Sequence, residues 1–210
     1  MDNSSYKINL QAIIKLEDRI SQCCRCPKVM ICNSKPYRGK GDLMPEVMMI
    51  FETDSVYTED SNWVLNLHNQ VKKQFGIRRV YHTFLVRCQP KSCIWLQGSN
   101  CYLTGRVLDR NGLCLLNHRL CDGIPVTPND EIVINCLAYT VEEIAILQPR
   151  YLLLFGERVG DFILKAYGIF DDTGDKTVFQ AGTMQIISLN KENNIDEKDI
   201  AESAARMRVF

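Results

Sequence analysis

The sequence predicts an α/β fold, a three-layer sandwich around a mainly parallel central sheet, on three observations. Short apolar runs occur at residues 47–51 and 151–155, and a mostly apolar one at 80–86, as expected of strands buried on both faces. Between and around them lie stretches with apolar residues three and four apart, the period of an amphipathic helix. The 210 residues carry 25 Lys+Arg against 25 Asp+Glu, with 46% hydrophobic and 24% charged residues, the proportions of an ordinary globular domain. Strands alternating with helices give the sandwich.

The elements follow in order. Leu10, Ile13, Ile14, Leu16 and Ile20 mark a helix over 7–22 that delivers the chain into Cys23, Cys24 and Cys26. A loop with Gly39 and Gly41 precedes the first central strand, and Trp63, Leu67, Val71 and Phe75 then mark a helix over 62–75. The second central strand follows at 80–86. Thr127-Pro128 opens and Gln148-Pro149 closes a helix over 129–147. After the third strand, Gly156 opens a helix carrying Val159, Phe162, Ile163 and Leu164, and a shorter strand pair is expected at 177–180 and 184–189. One domain over 1–210 is expected, with an insertion at about 89–121, because some thirty residues there break the alternation.

Near-zero net charge excludes a basic tail or polycation, and no apolar run approaches the roughly 18 residues of a membrane span. The start MDNSSYK lacks a signal-peptide pattern, so the expected location is intracellular, cytoplasmic or nucleoid-associated, with no membrane partner. In that setting ten cysteines read as metal or cluster ligands, or as small apolar residues. Cys23-x-x-Cys26 places two thiolates within reach of one centre, with Cys24 as an alternative in the same turn. Cys88, just after a central strand, and Cys136, inside the next helix, complete a four-thiol set able to hold a 4Fe-4S cluster or zinc. A second set, Cys93, Cys101, Cys114 and Cys121 with His118 as a spare, is a candidate zinc site in the insertion, although its spacing matches no common finger.

Three stretches together resemble the iron–sulfur, family 4-type uracil-DNA glycosylases. The Cys23/Cys26 pair, Gly39-x-Gly41 and the strand leading into Phe51-Glu52-Thr53-Asp54-Ser55 follow the order of that family's cysteine pair, GxG loop and first motif. Val80-Tyr81-His82-Thr83-Phe84-Leu85-Val86-Arg87-Cys88 is similar to its strand ending in cysteine. Val126 to Ile132, then Cys136, then Leu153 to Gly156 look like its third stretch. The resemblance spans roughly 20–190 and implies a uracil-DNA-glycosylase-like fold, a 4Fe-4S cluster, DNA as partner and base excision in DNA repair. The chain departs from the family where its base-recognising asparagine falls on Phe84 and its final histidine falls near Asn190.

A glycosylase must hold an extruded base and stabilise a cationic sugar while the base leaves as an anion. The resemblance therefore implies Glu52, Asp54 and Asn190 as catalytic candidates, and Trp63, Phe84 and His82 as base-binding candidates. Lys72, Lys73, Arg78, Arg79 and Arg87 form a basic run suited to phosphates, joined by the basic insertion with Trp95 and Tyr102. The expected function is a divergent glycosylase (an N-glycosyl hydrolase) that removes a uracil-related or modified base. The alternative is a catalytically silent relative that binds DNA, or a protein partner through residues 89–121. A zinc-stapled module is the third reading.

Overall fold

Alternating helical and strand periods are realised in the computed structural model, which describes residues 3–26, 36–92, 109, 111, 113–115, 118, 124–170 and 178–207. The chain runs through α1 (Asn3–Ser21), β1 (Lys40–Gly41), β2 (Val47–Phe51), α2 (Val56–Glu59), α3 (Ser61–Phe75) and β3 (Val80–Phe84). It continues through β4 (Lys91–Ser92), β5 (Ile124–Pro125), α4 (Asp130–Leu147), β6 (Tyr151–Phe155) and α5 (Glu157–Ala166). It ends with β7 (Val178–Ala181), β8 (Met184–Leu189), a 3-10 turn at Glu192–Asn194 and α6 (Glu197–Met207).

The main sheet has six strands in the order β1-β3-β2-β6-β8-β7. The four inner strands are parallel, and β1 and β7 pair antiparallel at the edges. From β2 the chain steps outward to β3, then returns to β6 on the other side of β2. Crossovers of one hand that step in opposite directions must place their helices on opposite faces. Accordingly Leu67 and Val71 of α3 pack on one face with Ile200 of α6, while α1, α4 and α5 supply the other core through Leu16, Val133 and Ile163. The structure is thus an α/β three-layer sandwich with a mainly parallel sheet. Between the ends of β2 and β6 lies the point where the winding reverses, where open α/β sheets form a crevice.

Local chemistry sets the helix ends. Asp60 caps α3 by accepting from the Asn62 amide at 2.9 Å, and Gly76 ends it in the left-handed region at φ 66°. Asn129 caps α4 by accepting from the Ile132 amide at 3.0 Å. The strand expected over 80–86 stops at Phe84, because Leu85 and Val86 donate to Phe51 O and Glu52 O beyond the regular ladder. The β4–β5 ladder pairs Lys91 with Pro125 and Ser92 with Ile124, closing the neck of the insertion. No helix among the described residues is long and apolar enough to cross a membrane.

The two loop glycines have separate reasons. A Cβ on Gly39 would lie 2.2 Å from Tyr81 Oη and 2.6 Å from Glu143 Oε1. Gly41 has φ +138°, and a Cβ there would meet Val80 O at 2.4 Å. Gly39→Ala is expected to lower the unfolding free energy by about 1–3 kcal/mol in a urea titration, the usual cost of forcing atoms into a filled site. A change below about 0.5 kcal/mol, the scale of an ordinary surface substitution, would show that Tyr81 and Glu143 give way.

Candidate functional site

The first candidate site is built from thiols. Cys88 and Cys136 lie in the core shared by α1, α4 and the sheet, and Cys23 and Cys26 pack against it. None of the four is in a disulfide and they influence one another electrostatically, whereas Cys24 is exposed. Burial pushes the Cys88 thiol up to about 12, and its three cysteine neighbours add to the rise. Burial also raises Cys26 and Cys136. Polar groups already address these sulfurs: Asn135 Nδ2 lies 3.6 Å from Cys26 Sγ, the Arg87 amide donates to Cys136, and the Tyr139 hydroxyl reaches Cys23. Arg25 stacks over the Tyr139 ring at 4.5 Å. Among the described residues no three His, Cys, Asp or Glu side chains converge closely enough to hold a single metal ion.

Beside the thiols stands a buried ionic network. Glu143, 1% exposed, accepts from Tyr81 Oη at 2.7 Å, from Thr83 Oγ1 at 2.7 Å, and from Arg87 Nη2. Arg87, expected on a phosphate-binding surface, is itself only 1% exposed. That expectation is corrected: the guanidinium is turned inward by Glu143 and does not reach solvent. Its Nε and Nη1 have no hydrogen-bond partner.

The second candidate site occupies the carboxyl edge of the sheet. Phe51, Phe84 and Phe155 end three adjacent strands and pack together, with Phe51 and Phe155 rings 4.6 Å apart. Half-buried Trp63 lies 6.2 Å from Phe51 and 5.7 Å from Tyr57, ring to ring, and Tyr57 is exposed. Asp54, 9% exposed, accepts from Thr58 Oγ1 at 2.6 Å and from the Tyr37 hydroxyl. Burial, with Asp54 adding, pushes Tyr37 up to about 12, so its hydroxyl stays protonated as a donor. The Tyr37 amide in turn donates to Arg87 O at 2.7 Å, which links this edge to the thiol site.

Glu52 does not stand free. Arg158 Nη1 binds it at 2.8 Å and Lys191 Nζ at 3.3 Å, while Arg158 also reaches Pro128 O and Asp130 at 2.5 Å. Gly156 leaves room for the Lys191 stem, since a Cβ there would approach Lys191 Cγ to 3.1 Å. Asn190, exposed, lines a cavity of about 610 Å³ between α5, the end of β8 and α6, together with Ser188 and Lys191. Tyr37, Tyr57, Arg158 and Lys191 were not foreseen as site residues; only the exposed ring of Tyr57 beside Trp63 left a trace in sequence, as a second aromatic six residues away.

Several expected residues lie elsewhere. Phe84 is buried as part of the crevice floor, and His82, 6% exposed, sits beneath it in a hydrogen bond to His68 at 3.0 Å. Lys72, Lys73, Arg78 and Arg79 lie at the amino edge, across a five-residue strand of about 17 Å from Asp54. There Lys73 pairs with Glu197 at 3.1 Å and Arg79 with Glu46 at 3.5 Å. The structure therefore does not bring these basic residues together with the catalytic candidates. In the insertion, Cys114 is buried, whereas Cys93, Cys101 and Cys121, with Trp95 and Tyr102, lie outside the described residues.

The histidine pair carries a pH dependence. Burial lowers His82 to about 3 and His68 to about 4, each against 6.5. Both are neutral when folded, so the unfolded chain binds more protons below pH 6.5 and stability falls as pH drops from there toward 3. Urea unfolding is expected to show a loss of about 5 kcal/mol between pH 7 and pH 4.5, at about 1.4 kcal/mol per unit for each of the two groups that titrate in the unfolded chain only. His82→Gln should remove about half of that slope.

No protein-family model and no curated protein matches the chain.

Proposed function

We propose that this chain is an iron–sulfur protein of the DNA-glycosylase type, in which Cys23, Cys26, Cys88 and Cys136 hold a 4Fe-4S cluster and the carboxyl-edge crevice takes an extruded base. The observation that carries the reading is the shared neighbourhood of four thiols from three separate parts of the chain. Thiolates around one zinc crowd into a single shell at about 2.3 Å from the ion, whereas a cubane spreads them over four irons. Two unpartnered N–H groups of Arg87 beside the four thiols suit an acidic, sulfur-rich occupant. The cluster ties the end of α1 and the segment after β3 to α4, a structural role.

The crevice supports the second half of the proposal. Tyr57 and Trp63 offer faces for a base, and Asp54 is held by two donors at a fixed place beneath them. In this reading Asp54 orients water or stabilises the cationic sugar, and Asn190 donates to the departing base. Phe84 in place of a polar partner selects a base other than plain uracil, because it supplies no hydrogen bond to the Watson–Crick edge. A second reading, DNA or base binding without excision, is favoured by one observation: Glu52 is committed to Arg158 and Lys191.

Anaerobic purification with iron, sulfide and zinc analysis tests the cluster, and an abasic-site assay on duplexes bearing uracil and modified pyrimidines tests the chemistry. Base release that falls about 100-fold or more in Asp54→Asn is the expected result. Tight DNA binding with no release across the panel selects the second reading. Zinc without iron overturns the cluster.

A further inference from the structure

The Arg87 side chain poses a question that its ion pair does not answer. Nη2 donates to Glu143, but Nε and Nη1 are buried with no acceptor. A buried donor left unmade costs about 1–3 kcal/mol, and more when charged, so native proteins rarely retain one without a use. Glu143 does not serve these atoms: its oxygens accept from Tyr81, Thr83 and Nη2. The groups that feel the Arg87 charge are the Tyr81 hydroxyl, already committed to Glu143, and the thiols of Cys88 and Cys136, the second of which also accepts from the Arg87 amide. A protonated thiol is a weak acceptor; a metal-bound thiolate or an inorganic sulfide is a strong one.

Resting on the cluster reading above, we infer that Nε and Nη1 of Arg87 donate to sulfur atoms of the bound cluster, making Arg87 the residue that positions the cluster and sets its reduction potential. Glu143 aims the guanidinium, and Tyr81 and Thr83 aim Glu143. Gly39 is part of the same device, because any larger residue would displace the Tyr81–Glu143 pair. The positive charge favours the reduced, more negative form of the cluster, so Arg87 raises the potential. Burial sharpens the effect, since little solvent screens a group that is 1% exposed.

The test is the midpoint potential of the anaerobically purified, full-length protein, read by a spectroelectrochemical titration near 400 nm alongside iron and sulfide content. Arg87→Lys is compared with wild type, and Arg87→Met combined with Glu143→Gln is compared with Glu143→Gln alone, so that no carboxylate is stranded and the difference read is loss of the Arg87 charge and its donors. The double variant is expected to shift the oxidised-to-reduced ratio at fixed potential at least tenfold toward oxidised, which is 59 mV for a one-electron couple. Arg87→Lys, which keeps the charge but not the planar fork, should shift the ratio in the same direction by a smaller factor. Failure of either folded variant, by circular dichroism, to retain iron also supports the inference. Iron-loaded variants with the midpoint of their reference protein overturn it and leave the cluster reading intact. A wild-type protein without iron overturns both. Should the double variant not fold, the Arg87→Lys midpoint decides alone.

Discussion

Cys136→Ser is expected to remove the iron from anaerobically purified protein, from about four per chain to below one, and to lower the melting temperature by about 10 °C or more. Cys136 is the informative choice because it projects from within α4 into the core, with no second cysteine beside it in sequence. At the other end of the set, Cys24 could stand in for a lost Cys23. The energetic reason for so large an effect is that ligand binding by the folded chain alone adds its free energy to folding. Around that site the ends of α1 and β3 and one face of α4 have no other covalent tie among the described residues. Cys24→Ser and Cys114→Ser serve as controls, since the first thiol is exposed and the second lies in the insertion. Full iron content in Cys136→Ser would remove this residue from the ligand set.

Glu143→Ala is expected to destabilise the protein by about 3–5 kcal/mol, the cost of breaking a buried ion pair by deleting one partner. For a chain of this length that is a fall of about 10 °C in melting temperature. The substitution leaves the Arg87 charge uncompensated at 1% exposure and strips the Tyr81 and Thr83 hydroxyls of their acceptor. It also opens a space beneath Gly39, whose Cα packs against the carboxylate. Glu143→Gln keeps the shape and one acceptor and should cost markedly less. Thermal unfolding at pH 7 on matched cluster content checks both. A loss below about 1 kcal/mol for Glu143→Ala would show that water replaces the carboxylate.

The frame of this molecule was largely legible in its sequence, and the reasons differ from element to element. The five-residue apolar runs of β2 and β6 announced themselves because strands buried on both faces leave no polar alternation, and β3 did so through Val80, Tyr81 and Phe84 around a buried His82-Thr83 pair. The helix expected over 129–147 is α4, Asp130–Leu147, closed by Gln148 as expected but capped by Asn129 rather than opened by Thr127-Pro128, because a side-chain cap is set by a single residue. Strand order was not legible, since pairing of β2 with β6 joins residues about a hundred apart with no local signal. The four cysteines stood out by their positions: one pair comes at the end of α1, Cys88 just after β3, and Cys136 within α4. Arg87 misleads for a physical reason: an arginine after an apolar run looks like a strand leaving the core. Its true partner lies 56 residues away. A trace of it was present, because the buried stripe of α4 through Ile132, Cys136, Tyr139, Thr140 and Leu147 passes directly over Glu143. An acid on the apolar stripe of a helix calls for a buried cation. The basic run 72–79 reads as one patch, but only its place on the parallel sheet reveals that it faces away from Asp54.

The short β4–β5 ladder has an architectural meaning. Ser92 and Ile124 are directly paired, so the chain leaves the sandwich and re-enters it at neighbouring points. Positions 92 and 124 are thereby held one strand spacing apart, about 5 Å. A two-residue Asn-Gly turn spans such a stem. The stem is therefore the seam at which the chain leaves and rejoins the sandwich, at neighbouring positions on two antiparallel strands.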